Sequence, residues 1–259
     1  TKGSGARGYR RVPSLRLYHA AMTEPFIANI LNNQRERRPW LSLIPRRHAL
    51  PESSLSHMVS KLGEDLASSN SLWSFKTDGL DVESSWTWLE ETASAGQPVV
   101  ILTTSFALVT LLDAAPKRDV MMPPGSRMML TGGFKGRSRT IEEGELFETL
   151  ESRLGLAYDA VVPEYGMTEL TSQAYGRPFL APPWLKLRVV DPLSHRPLNP
   201  GATGLVAFFD LLNLDNISAI VTSDMGQMTA SEGLILEGRA PGSILRGCSL
   251  TAESLGLAS

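Results

Sequence analysis

Cysteine is nearly absent from this 259-residue chain: Cys248 stands alone, which excludes an intrachain disulfide framework and suits a reducing cytoplasm. Histidine is scarce, four in all, and no Cys/His spacing suggests a zinc site. Long apolar runs are missing. The longest, Phe106 to Leu112, is broken by Thr110 and falls far short of a membrane span. No signal peptide is visible, and neither an internal repeat nor a low-complexity segment stands out. Net charge is small, a formal −2, but it is unevenly spread. Residues 1–50 hold ten Lys/Arg against two Asp/Glu, a net of +8 that leaves −10 for the remainder. Aromatic residues make up only 7% of the chain and do not interleave with those cations, so the basic segment lacks the pattern of a nucleic-acid surface. It reads as a solvated face, or as a face towards an anionic ligand.

What is present, 42% hydrophobic residues in a chain of this length, is enough for a large core in one or two domains. Leu55, Met58, Val59, Leu62 and Leu66 recur at helical spacing behind the cap candidates Ser53 and Ser54. Val99 to Thr103 is a short β-rich run, followed by an apolar helix from Phe106 to about Ala115. The alternation then repeats as a strand at Arg127 to Leu130, a helix at Glu142 to Leu154 and a strand at Ala160 to Pro163. Such alternation predicts an α/β fold with a mostly parallel sheet flanked by helices, whose ligands bind at the carboxyl ends of the strands. After residue 185 the chain turns β-rich, at Lys186 to Val190, Leu205 to Asp210, Ala219 to Thr222 and Leu234 to Glu237. The expected organisation is an α/β region over residues 1–184 and a smaller β subdomain over 185–259.

The most chemically suggestive stretch is Glu164-Tyr165-Gly166-Met167-Thr168-Glu169-Leu170. Tyr165 offers an aromatic face to a purine, and Gly166 lets backbone approach a ligand with no Cβ in the way. Thr168 can donate to a phosphate. Glu169 is the hard oxygen ligand that Mg²⁺ takes beside phosphates and waters. The bland alternative is a surface loop with a partly buried tyrosine. Thr131-Gly132-Gly133, after the apolar run Met128 to Leu130, falls like Tyr165-Gly166 at a predicted strand end.

Together these segments resemble the adenylate-forming superfamily. Thr131-Gly132-Gly133-Phe134 is similar to the strand end that borders adenine there. Thr222-Ser223-Asp224-Met225-Gly226 is similar to its Thr-x-Asp-x-Gly element, and Gly238-Arg239 to its Gly-Arg element. The resemblance implies a nucleotide site of Gly132, Gly133, Tyr165, Gly166, Met167, Thr168, Asp224 and Arg239, with Asp224 and Arg239 at the ribose and Glu169 on Mg²⁺. Residues 132–139, 164–173 and 238–250 resemble one branch in particular, the acyl-protein synthetases, which serve the bacterial luminescence reductase complex and have non-luminous relatives. Ser54 to Met58 and Asp210 to Leu214 match as well.

Thr1-Lys2-Gly3-Ser4-Gly5-Ala6-Arg7-Gly8 lines up with the family's Thr-Ser-Gly-Thr-Thr-Gly phosphate loop, which places Thr1, Gly3 and Ser4 at the nucleotide. Lys2, Gly5 and Ala6 depart from that pattern, by removing donors or restricting backbone. Family members carry a further region before this loop, so the chain is expected to be an N-terminally truncated fragment. The resemblance also implies that Cys248 accepts the activated acyl group. Arg246 nearby could lower the thiol pKa, whereas the alternative for a free cysteine is a small buried hydrophobe. His57 is at a plausible place for the residue that gates the carboxylate pocket, or is simply a helix histidine. The implied function is ATP- and Mg²⁺-dependent activation of a long-chain fatty acid and its transfer, through Cys248, to a reductase subunit. The alternatives are a ligase of the phenylacetate-CoA type and a catalytically degenerate scaffold.

Overall fold

The structure is a computed structural model and describes residues 10–76, 79–132 and 143–241. The chain divides into two compact units, one formed by residues 26–163 and the other by residues 10–25 with 164–241 among those described. The divisions fall inside the first helix, α1 (Arg16–Asn29), at Pro25 and inside the strand that ends in Tyr165. The second falls ahead of the boundary at residue 184 read from the sequence. The physical reason is the hydrophobic core: Leu170, with Tyr165, Met167 and Phe179, packs into the core of the β-rich unit.

In the unit of residues 26–163, strand β1 (Trp40–Ser42) leads into helix α2 (Ser54–Leu66) and then β2 (Leu72–Trp73). A small hairpin of β3 (Phe75–Lys76) and β4 (Gly79–Leu80) precedes α3 (Val82–Ser94). The alternation continues through β5 (Val100–Thr104), α4 (Ser105–Ala114), β6 (Arg127–Thr131), α5 (Glu143–Leu154) and β7 (Val161–Tyr165). The sheet order is β2-β1-β5-β6-β7, and β2, β1, β5 and β6 run parallel. All five residues of β5 are buried. That is the burial a strand has when helices cover both faces of a parallel sheet, and it is why the strand reads as an unbroken apolar and β-branched run. Leu108, Leu111 and Leu112 of α4 and Leu146, Leu150 and Leu154 of α5 fill the same core.

Helix α2 starts where the sequence indicates. The Ser53 side chain accepts from the Ser56 N–H at 3.1 Å, satisfying one of the donors a helix start leaves open. Ser53→Ala is expected to cost about 1 kcal/mol, and Ser53→Thr much less. Urea unfolding followed by circular dichroism checks this; equal losses in both variants would show that the cap bond is not the cause.

The other unit holds β8 (Ala174–Tyr175), which pairs antiparallel with the last two residues of β7, and a four-stranded antiparallel sheet. Its strands are β9 (Leu185–Val190), β10 (Gly204–Asp210), β11 (Ala219–Met228) and β12 (Leu234–Arg239), in the order β12-β11-β10-β9. Leu185, Leu187, Val189, Val206, Phe208, Met228 and Leu234 make its core. Strand β11 extends six residues past its expected end at Thr222. Asp224 therefore sits within a strand rather than in a loop after one. The polar run Thr-Ser-Asp hides the strand because its partners are cross-strand neighbours, invisible to local pattern.

Candidate functional site

Strand β7 delivers Tyr165 into the β-rich unit, where its ring stacks on Phe208 at 5.6 Å and 13° and meets Phe179 at 5.7 Å and 59°. The phenol donates to Asp224 Oδ2 at 2.5 Å. Burial, followed by the neighbouring Asp224 charge, pushes the Tyr165 pKa far above its ordinary value, so the group stays a protonated donor at physiological pH. Gly166 follows in a tight place: a Cβ there would lie 2.5 Å from Glu164 Oε1 and 3.2 Å from Gln173 Cγ, so the Glu164 side chain would have to shift.

Asp224 and Arg239 face each other as register partners on β11 and β12. Arg239 Nε lies 3.0 Å from Asp224 Oδ1, an ion pair on side chains that are both partly exposed. The Thr222 hydroxyl donates to the Val206 carbonyl at 2.9 Å and accepts from the Asp224 N–H at 3.0 Å, which fixes the backbone that carries the carboxylate. The register shifts between Met225 and Gly226, and a Cβ on Gly226 would lie 2.4 Å from the Ile235 carbonyl oxygen. Each fixed position of Thr-x-Asp-x-Gly thus has a steric or hydrogen-bonding cause. Asp224 emerges as an anionic acceptor between a phenol and a guanidinium.

The turn after Gly166 leaves Thr168 exposed and Glu169 half-buried. Its other end is tied down by a polar network. Asp210, with no exposed surface, accepts from the N–H groups of Thr171 (2.8 Å) and Ser172 (2.9 Å) through Oδ2. Its Oδ1 accepts from the Ser172 hydroxyl (3.0 Å) and the Leu212 N–H (3.1 Å). Asn213 donates to the Glu169 carbonyl at 3.0 Å and to the Ile217 carbonyl at 2.8 Å. Arg10 reaches the same turn through both terminal nitrogens.

Asp224 is therefore in direct contact with both Tyr165 and Arg239, all three widely separated in sequence, and Gly166, Met167, Thr168 and Glu169 continue from Tyr165. Gly132 lies in the other unit, at the carboxyl end of β6, where its carbonyl accepts from the Ser105 hydroxyl at 2.6 Å. His57 is on the first turn of α2, half-buried. Thr1, Gly3, Ser4, Gly133 and Cys248 lie outside the described residues. Among the described residues no group of three or more His, Cys, Asp or Glu is placed to hold a metal ion. One carboxylate such as Glu169 is nonetheless the protein share that Mg²⁺ commonly takes when phosphates and waters complete its shell. No helix among the described residues is long and apolar enough to cross a membrane. The sequence reading missed Arg10, which carries no local signal, and the covering of Tyr165 by Phe208, which the alternation along β10 could have revealed.

No protein-family model and no curated protein matches this sequence. Solved structures do. ATP-bound MatB from Rhodopseudomonas palustris is similar at 12% identity and a TM-score of 0.57, over 86% of this chain and 44% of that one. McyG A-PCP complexed with phenylalanyl-adenylate is similar at 17% identity and a TM-score of 0.58, over 88% and 44%. O-succinylbenzoate coenzyme A synthetase (MenE) from Bacillus subtilis, in complex with AMP, is similar at 17% and 0.56, over 90% and 47%. The chain thus spans less than half the length of these proteins. At such identities the likeness concerns architecture alone: a mostly parallel sheet flanked by helices with a small antiparallel β subdomain is the fold this chain shares with these solved structures.

Proposed function

We propose that this chain serves an AMP-forming ligase that activates a long-chain fatty acid with ATP and Mg²⁺ and passes the acyl group to Cys248, as an acyl-protein synthetase supplying a reductase subunit. The observation that carries the adenylation half is the contact of Tyr165, Asp224 and Arg239, three motif residues gathered from separate strands. In this reading Asp224 accepts from the ribose hydroxyls, with Arg239 paired to it at 3.0 Å. Tyr165 presents to adenine whatever surface Phe208 and Phe179 leave open, and its O–H orients Asp224. Gly132 and Gly133 border the base, while Thr1, Gly3, Ser4 and Thr168 contact phosphate. Glu169 would hold Mg²⁺, which would supply charge neutralisation at the phosphates. His57 stands at the fatty-acid carboxylate.

The fatty-acid carboxylate oxygen forms a bond to the α-phosphorus of ATP as the bond to pyrophosphate breaks, and donors fixed in place favour the charge that develops. The Cys248 thiolate then attacks the acyl carbonyl and AMP leaves, the thiol proton passing to solvent. Support for Cys248 comes from the Gly238 to Leu250 resemblance. A second reading, with coenzyme A as acceptor, is favoured by the likeness to a coenzyme A synthetase. A scaffold without turnover is favoured by Lys2, Gly5 and Ala6 in the phosphate loop.

One labelling experiment separates the three. With radioactive fatty acid and ATP, Cys248→Ser is expected to keep acyl-AMP formation while losing hydroxylamine-sensitive protein label, and Glu169→Gln to slow acyl-AMP formation about tenfold or more. Undiminished hydroxylamine-sensitive label on the Cys248→Ser protein would refute Cys248 as the acceptor. Turnover that requires added coenzyme A favours the second reading; no adenylate from the wild type favours the third.

A further inference from the structure

Three consecutive carbonyls of the Thr168–Leu170 turn are held by side chains from distant parts of the chain. Arg10 Nη1 donates to the Thr168 carbonyl at 3.0 Å and to the Leu170 carbonyl at 2.5 Å, across 158 and 160 residues. The carbonyl between them, that of Glu169, accepts from Asn213. Arg10 Nη2 closes the arrangement by donating to Asn213 Oδ1 at 2.7 Å and to the Thr171 hydroxyl at 2.5 Å. One guanidinium thereby grips the turn both directly and through Asn213.

A turn at the surface can leave its carbonyls to water. Here a half-buried arginine takes them instead, with its Nε buried and without a hydrogen-bond partner, and burial lowers its pKa despite the nearby Tyr18, Asp210 and Glu169. The fork geometry of arginine suits several acceptors at fixed angles, which a lysine ammonium cannot reproduce. With the three carbonyls held by Arg10 and Asn213, Thr168 stays exposed and Glu169 partly exposed. Those are the two residues to which the adenylation reading gives phosphate and metal.

We propose that Arg10 is a positioning residue that presets the Thr168–Glu169 turn for the phosphate end of Mg·ATP. The phosphate part of this inference rests on the reading under Proposed function. It separates Arg10 from Asp224 and Arg239: the first governs the phosphate end, the other two the nucleoside end.

The test uses the whole protein as wild type, Arg10→Gln and Arg10→Lys, with two readouts. Hydrogen exchange at the Leu170, Thr171 and Ser172 amides is expected to quicken about tenfold or more in Arg10→Gln, with the β10 and β12 amides unchanged and Arg10→Lys intermediate. By calorimetry, affinity for Mg·ATP is expected to fall about tenfold or more in Arg10→Gln while affinity for adenosine stays within about twofold. Unchanged exchange overturns the grip of Arg10 on the turn. Faster exchange with equal losses for Mg·ATP and adenosine overturns the phosphate-end role, since a general loosening would affect both ligands. Wild-type protein that binds neither ligand overturns the adenylation reading and the phosphate-end role with it, while the exchange result still decides whether Arg10 holds the turn.

Discussion

Replacing Asp224 with alanine is expected to weaken ATP binding about 10- to 150-fold, the equivalent of losing charge-assisted hydrogen bonds of about 1.5–3 kcal/mol. The effect is large because one side chain serves three partners in the proposed complex. In the free protein its two oxygens already engage the Tyr165 phenol and Arg239, so the carboxylate is oriented before ligand arrives. Alanine removes the acceptor for ribose and leaves the mostly buried phenol without its acceptor. Tyr165→Phe separates these two losses: it keeps the packing on Phe208 and Phe179 and removes only the orienting bond, so a loss of about fivefold is expected. Calorimetric titration with ATP and with adenosine measures both variants. Because the role proposed for Asp224 is at the nucleoside, Asp224→Ala should weaken both ligands alike, in contrast to Arg10→Gln. An Asp224→Ala protein that binds ATP as tightly as the wild type would remove the ribose assignment.

Asp210→Ala is expected to destabilise the β-rich unit by about 3–5 kcal/mol, because it orphans several donors at once, most of them buried. Asp210 has no exposed surface, and its carboxylate accepts from three backbone N–H groups and one hydroxyl. Thr171 and Ser172, two of the residues whose N–H groups it receives, are themselves buried, so water cannot replace the lost acceptor cheaply. A thermal midpoint lower by about 10 °C follows for a chain of this size. Asp210→Asn should lose less, since its carbonyl oxygen retains part of the acceptor set while its amide nitrogen faces donors. Differential scanning calorimetry of both variants checks the order. If the two were equally mild, the network would not be a determinant of the unit's stability.

Local periodicity foretold α2, α4, β5 and β6 to within a residue or two, because burial on a helix face or on both faces of a parallel strand writes itself into consecutive side chains. The identity of the motif residues was equally readable: Gly166 and Gly226 stand where a Cβ would strike Glu164 and the Ile235 carbonyl, a restriction that leaves its mark as a residue type. What local sequence could not convey is partnership. Asp224 and Arg239 are opposite one another only through the pairing of β11 with β12, and the extension of β11 to Met228 depends on that same pairing. Arg10 looks like one more cation in a basic leader, yet its acceptors lie some 160 residues away. Tyr165, read as an open aromatic face, is stacked on Phe208 by the β-rich core. By itself the sequence determined the elements whose burial is periodic, α2, α4, β5 and β6, and the glycines at positions 166 and 226, since both follow from local sterics and burial pattern. Tertiary structure alone decided which of those residues touch and which carbonyls are held, because hydrogen bonds and ion pairs between distant segments exist only once the sheets have brought them together.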